Sequence, residues 1–415
     1  MTPGVFGALH LIEYRESGER GRMTIVAIGD VGVLDGMVHI GDEAMFEQLV
    51  GSMRGRGLEV VGLSANPAET AERYGIRAIS RIGFTGTRDE MANRMRRVLA
   101  GDLAVDDPAH AVVDAVRAST GVVIAGGGNM ASTWPLHIYE RATLARIAAV
   151  ADVPLVVTGQ TIGPALAPDD AELVRALLSS ARLVGLRENV SLELCRALRV
   201  PGPLLHRLPD DASFVPADGA VPEHPYCLVT LASHVGEHDR ADVQAAIAAL
   251  LDDVADLGLE VVFSPHFGAL DGSVRGDSVM HAGVAERMRG ATREIPAVST
   301  AASAALARGA ALVVSSRYHP VVFAVAEGVP AIGLSVDEYT SVKLQGALGT
   351  FGQRAVLPAD SLLTGDGTAL LRSVWGDREA IRARGRALAE TQRVAADRWF
   401  DLIAAELGAT APGRR

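Results

Sequence analysis

The chain has 415 residues, 48% of them apolar, with 39 lysines and arginines against 50 aspartates and glutamates. That length exceeds what one hydrophobic core usually organises, so two domains are expected. The acidic balance, with no basic run or aromatic-studded basic stripe, speaks against nucleic acid as a partner. Cys195 and Cys227 stand in apolar or helical stretches without metal-ligand spacing, so neither a disulfide framework nor zinc is indicated.

Residues 1–22 carry a short apolar patch, Val5 to Ile12, without a preceding basic region or a small-residue cleavage site. A loose, poorly ordered extension is expected there rather than a signal peptide. Met23 then opens the strand Thr24 to Ile28. No stretch approaches the roughly 20 apolar residues that a membrane crossing needs, and a cytoplasmic protein, peripheral at most at the inner face of the membrane, is expected.

From Met23 onward, β-branched runs bounded by glycine alternate with amphipathic segments: Val60 to Leu63, Val122 to Ala125, Leu155 to Val157 and Leu183 to Leu186. That alternation predicts parallel βαβ units. Around Pro201-Gly202-Pro203, and again from Pro216 to Pro225, the periodicity lapses, and the inter-domain crossing is expected there. The rhythm restarts with Tyr226 to Thr230, Leu259 to Phe263, Leu312 to Val314 and Ala331 to Leu334. The expected architecture is α/β, two Rossmann-like doubly wound domains facing a cleft, with boundaries near 23–205 and 206–375. The periodic segment from Arg378 to Leu407 predicts a terminal helix, within 376–415, packing across both domains.

In open α/β sheets ligands bind beyond the carboxyl ends of the strands, and four such places carry notable residues. Gly41-Asp42-Glu43-Ala44 follows a glycine-rich loop and opens a helix, where acidic side chains suit the positive helix end; capping and a cleft loop meeting substrate hydroxyls are both open. Gly126-Gly127-Gly128-Asn129 follows a strand, and its glycines would let backbone N–H groups approach an anion or a sugar; a tight turn without a ligand is the other reading. Arg187 stands at the end of Leu183 to Leu186, where a solvated surface group and a functional cation are both open. Arg317-Tyr318-His319-Pro320 joins a strand to a helix, and an arginine and a histidine beside a helix N-terminus suit anion binding and proton transfer; a capping histidine with a structural arginine is the other reading. No Asp-x-Asp pair, phosphate-binding P-loop or Gly-x-Ser-x-Gly elbow occurs, and chemistry without a metal is favoured. His234, His238, His266 and His281 are scattered at non-ligand spacings and read as loop or surface residues.

The ordered set resembles the polysaccharide pyruvyl transferase family. It comprises Gly41-Asp42-Glu43-Ala44, Gly126-Gly127-Gly128, Gly159-Gln160-Thr161-Ile162-Gly163-Pro164, Leu186-Arg187-Glu188 with Ser191, Asp211-Ala212-Ser213-Phe214 and Ser316-Arg317-Tyr318-His319 with Gly328-Val329-Pro330. The resemblance spans about residues 23–357. It implies a GT-B-like fold, phosphoenolpyruvate as co-substrate with no further cofactor, and a saccharide acceptor, lipid-linked or free, whose two hydroxyls close a pyruvate ketal in cell-wall or exopolysaccharide biosynthesis. It also implies donor-binding roles for Arg187 and Arg317, the acid role for His319, and acceptor or cleft loops at Asp42, Glu43, Gly127, Gly128, Asn129 and Gln160. Lys343, in the segment after the last core strand, would add positive charge to the donor pocket. His39 stands where family members often carry asparagine, and Tyr318 where they often carry leucine. Two other readings stay open: a metal-independent GT-B glycosyltransferase using a nucleotide sugar, and a non-catalytic glycan-binding protein. Oligomeric state is open, a homo-oligomer included.

Overall fold

The structure, a computed structural model, describes residues 23–296 and 299–408; the extension expected over 1–22 lies outside the described residues. The first half contributes β1 (Met23–Ile28), β2 (Met37–His39), β3 (Leu58–Ser64), β4 (Arg77–Ser80), β5 (Gly121–Ile124), β6 (Gly127–Met130), β7 (Leu155–Ile162), β8 (Leu183–Leu186) and β9 (Leu205–Arg207). The second contributes β10 (Tyr226–Thr230), β11 (Glu260–Phe263), β12 (Phe267–Ala269), β13 (Arg293–Glu294), β14 (Leu312–Ser315), β15 (Ala331–Ser335) and β16 (Val356–Pro358).

One sheet runs β4-β3-β1-β5-β7-β8-β9, with β6 added beside β7, and the other runs β13-β11-β10-β14-β15-β16. Every pairing within these two sheets is parallel. The strands are continuous apolar runs because helices cover both faces. In β1, Val26 and Ile28 enter the core on one face while Ile25 and Ala27 enter the core on the other. In the second sheet, Leu228 and Val313 face one core and Cys227, Val229, Leu312 and Val314 face the other. Both cysteines are buried and free.

Pro201-Gly202-Pro203 does not mark the crossing between domains. Gly202–Leu204 is a single 3-10 turn leading into β9, which still pairs with β8, so the chain leaves the first sheet only after Arg207. A proline cluster breaks helix periodicity at any loop, and nothing local distinguishes a loop inside a domain from one between domains.

Several contacts tie the two halves together. β2 and β12 form a two-stranded antiparallel sheet, pairing His39 with Phe267 and Met37 with Ala269 across the cleft. The Ile40 backbone N–H donates to the His266 carbonyl at 2.9 Å. The 31-residue helix Arg378–Gly408 places Ile381 and Ala389 in the cores of the second half and Trp399, Phe400, Ile403 and Leu407 in a core of the first. Among the described residues no helix is long and apolar enough to cross a membrane.

Candidate functional site

In each sheet the chain reverses direction of winding beside a central strand, β1 in the first and β10 in the second, and the carboxyl ends of the strands open onto the cleft. A cavity of about 280 Å³ lies there. The first half contributes Asp30 beyond β1, Gly41 and Asp42 in the first turn of the helix Ile40–Gly55, Gly128 and Asn129 from β6, and Arg187 beyond β8. The second contributes His266 beyond β11, Arg317 and His319 beyond β14, and Tyr339 and Lys343 from the helix Glu338–Thr350.

Arg187 is 2% exposed. Its Nε donates to Thr161 Oγ1 at 2.8 Å and to Glu188 Oε1 at 3.0 Å, and its Nη1 donates to Asp210 Oδ2 at 2.7 Å. The guanidinium lies 4.4 Å over the Tyr318 ring, with Nη2 beside Gly128. A buried cation needs such compensation, and two carboxylates plus an aromatic face from the opposite domain supply it. Arg317 is held differently. Its Nε and Nη2 donate to Asp277, Nη2 at 2.6 Å, and Asp277 also accepts the backbone N–H groups of His266 and Phe267. This pins one edge of the guanidinium, with Nη1 outside that pairing.

His319 occupies the second position of the helix Tyr318–Val325. Its ring fits only because position 41 is glycine: a Cβ there would overlap Nδ1 of the imidazole. Its buried Nε2 has no hydrogen-bond partner among the described residues and stands 3.8 Å from Asp210 Oδ1, beyond hydrogen-bond range. Burial pushes the imidazole down to about 3, aided by the charges of Arg187 and Lys343 and opposed by Asp210, so without ligand the ring is neutral. Lys343 is pushed down to about 7 by burial and by Arg187, while its ammonium lies 4.3 Å over the Tyr339 ring. Asp42 is pushed up to about 7, first by burial and then by the charge of Asp30. The Tyr339 hydroxyl donates to the Gly128 carbonyl, closing the cleft from the second half onto the first.

Three residues singled out from the sequence do not line this cavity. Glu43 turns inward, its carboxylate accepting from the Gly32 N–H at 3.2 Å and from the Tyr74 hydroxyl, because a helix residue next to Asp42 points about 100° away from it. Gln160 lies within β7 and donates to the Ala125 carbonyl, and Gly127 pairs with it across β6 and β7. The scattered histidines divide. His234 is exposed, with a side chain 65% accessible, as expected for a loop residue. His266 and His281 are not surface residues: both are buried, His281 accepting from the Leu231 N–H at 3.0 Å and facing Glu294, and His266 lining the cavity.

Several lining or supporting residues escaped the sequence reading. Asp210 directly precedes the Asp211-Ala212-Ser213-Phe214 run and is the residue that reaches both Arg187 and His319. Asp30, just past the first strand, holds Arg81 at 2.8 Å and faces His137, whose Nδ1 is 3.1 Å from Arg141. Its place at a strand's carboxyl end was the available signal. Among the described residues no cluster of three His, Cys, Asp or Glu side chains could hold a metal ion.

The fold is shared with a UDP-bound protein, a UDP-GlcNAc 2-epimerase and a glycosyltransferase. The UDP-bound structure of S. aureus MnaA superposes with a TM-score of 0.60 at 11% identity, covering 94% of this chain and 98% of that one. The UDP-GlcNAc 2-epimerase from Neisseria meningitidis bound to UDP-GlcNAc gives 0.58 at 6% identity, covering 91% and 100%. The calicheamicin glycosyltransferase CalG4 gives 0.52 at 15%, covering 95% and 100%. At these identities the likeness shows the two-domain GT-B architecture and nothing of the reaction. No curated protein matches the chain in sequence. The family model of polysaccharide pyruvyl transferase matches residues 39–338, which contain the Gly41 turn, β6, Arg187 and the Arg317–His319 segment. The chain belongs to the polysaccharide pyruvyl transferase family.

Proposed function

We propose that the protein transfers the enolpyruvyl group of phosphoenolpyruvate to two hydroxyls of a glycan, forming a cyclic pyruvate ketal and releasing phosphate, in cell-wall or exopolysaccharide biosynthesis. The observation that carries this reading is the convergence of two guanidinium groups from opposite domains, Arg187 and Arg317, with the His319 imidazole on one small cavity. Phosphoenolpyruvate holds a carboxylate and a phosphate close together, and fork-shaped cations on either side match both.

The chemistry follows from those groups. C3 of the enol takes a proton from the His319 imidazolium, and the C2 centre gains oxocarbenium character. A first acceptor hydroxyl bonds to C2 and loses its proton. The C2–O bond to phosphate breaks, phosphate leaves with the electron pair, and the second hydroxyl closes the ketal. Of the two hydroxyl protons released, one balances the proton delivered to C3 and the other leaves with phosphate. Burial keeps His319 neutral, and the negative charge of a phosphate group beside it favours the imidazolium, so donor binding arms the acid. An acceptor hydroxyl would meet Asp42, a reading supported by its position on the first-domain wall of the cavity and its carboxyl pushed up to about 7 by burial.

The test is phosphate release from phosphoenolpyruvate with bacterial glycans as acceptors, together with detection of the quaternary ketal carbon by NMR. Release that depends on acceptor and disappears in His319→Gln supports the reading. Acceptor-dependent consumption of a nucleotide sugar, with phosphoenolpyruvate untouched, would establish a glycosyltransferase instead.

A further inference from the structure

His266 is only 5% exposed and lines the cavity, yet among the described residues neither of its ring nitrogens has a hydrogen-bond partner. Such a group is rare, because a buried imidazole that gives up water without a replacement is strongly disfavoured. The main chain here is fixed on both sides: the backbone N–H of His266 donates to Asp277 Oδ2 at 3.1 Å, and its backbone carbonyl accepts from the Ile40 N–H across the domain boundary at 2.9 Å. The neighbouring His281 is fully engaged with the Leu231 N–H and Glu294. Asp277 is also the carboxylate that fixes Arg317, so one buried anchor sets the guanidinium and the imidazole side by side.

Resting on the donor assignment above, we propose that His266 is a further donor-binding residue, which takes the phosphate group of the donor beside Arg317 as a neutral imidazole. The chemistry distinguishes phosphate from carboxylate. A neutral imidazole presents one N–H and one lone pair, and both are unmet here. A carboxylate can only accept. The two ring nitrogens point to opposite sides of the ring, so the phosphate meets the one that faces it; a phosphate that carries a proton near neutral pH donates its P–O–H to the ring lone pair, which a carboxylate cannot do. Desolvation, with the charge of Arg317 beside it, holds His266 well below the usual histidine range, which keeps that lone pair available.

Calorimetric titration of the full chain with inorganic phosphate, pyruvate and phosphoenolpyruvate tests this, comparing the native protein with His266→Phe and His266→Gln. The phenyl ring keeps the volume and removes both polar atoms; the amide restores a donor and an acceptor. The expected result is an affinity for phosphate and phosphoenolpyruvate lowered about 10- to 100-fold in His266→Phe, partly recovered in His266→Gln, with pyruvate affinity unchanged. Native-like phosphate affinity in His266→Phe overturns the assignment, as does a change confined to the acceptor's KM, which would give His266 to a glycan hydroxyl. Should the phenylalanine variant not fold, histidine ¹⁵N resonances of the native protein decide: the His266 nitrogens must shift on adding phosphate, and no shift rejects the proposal. His266-dependent phosphate binding without phosphoenolpyruvate binding would sink the pyruvyl reading and leave the anion site standing. Phosphoenolpyruvate binding independent of His266 would do the reverse, and failure of both anions to bind would remove both.

Discussion

The carboxylate of Asp210 meets the guanidinium of Arg187 at 2.7 Å with neither side chain more than 2% exposed, and the other oxygen of Asp210 stands 3.8 Å from His319 Nε2. A residue of the segment joining the domains thus links the arginine of one domain to the histidine of the other. Removing the cation leaves Glu188 and Asp210 buried together without compensation. Arg187→Met is expected to cost about 3 kcal/mol or more of stability, and Asp210→Asn less, because Glu188 still faces the arginine. Urea unfolding, read as midpoint shifts at constant slope, checks this ordering.

Gly41→Ala should improve the helix intrinsically by about 1 kcal/mol, yet its Cβ would overlap the His319 ring. The expected outcome is at least a roughly 10-fold loss of kcat, since small displacements of a proton donor are costly, with little change in unfolding midpoint. Native kcat in this variant would show that the position of His319 is unimportant.

His319→Gln is expected to lower kcat by about 10²- to 10⁴-fold, the range for loss of a general acid, while donor affinity stays within a few-fold. Steady-state kinetics beside equilibrium titration separates the two effects.

Asp211, 6% exposed, accepts from Thr158 at 2.8 Å, and Trp399 Nε1 of the terminal helix donates to the same Thr158 oxygen at 2.8 Å. Burial and the charge of Asp210 push its carboxyl up to about 7. A raised carboxyl holds its proton more tightly when folded, so its contribution to stability is complete below the unfolded value of about 4 and is lost as pH rises through 7. The stability difference between native protein and Asp211→Asn should therefore fall over that window, by at most about 1.4 kcal/mol per pH unit. A pH-independent difference in chemical denaturation would contradict it.

The central strands of both sheets were legible because both faces are buried, which writes β1, β5, β10 and β14 as unbroken apolar runs. β13, two exposed residues, carries no such signal. The β2 and β12 pairing was equally hidden, since its partners lie more than 200 positions apart and neither strand is periodic. At the site, Arg187, Arg317 and His319 follow strands and could be picked out by position. Glu43 and Asp42 could not be told apart, because helical phase decides which enters the cleft. His266 and His281 were misjudged because a lone histidine looks the same in a surface loop and under a buried ladder, and only the tertiary partners separate them.

The identity of the donor is tested most directly by the thermal stability of the native protein and Arg317→Ala with phosphoenolpyruvate and, separately, with UDP-sugars. A ligand bound only by the folded state raises the melting temperature, by about 2.7 kcal/mol of stability at 100 times its Kd. The expected result is stabilisation of the native protein by phosphoenolpyruvate, lost in Arg317→Ala, with no response to UDP-sugars. Stabilisation by a UDP-sugar and none by phosphoenolpyruvate would contradict the pyruvyl transfer proposed here.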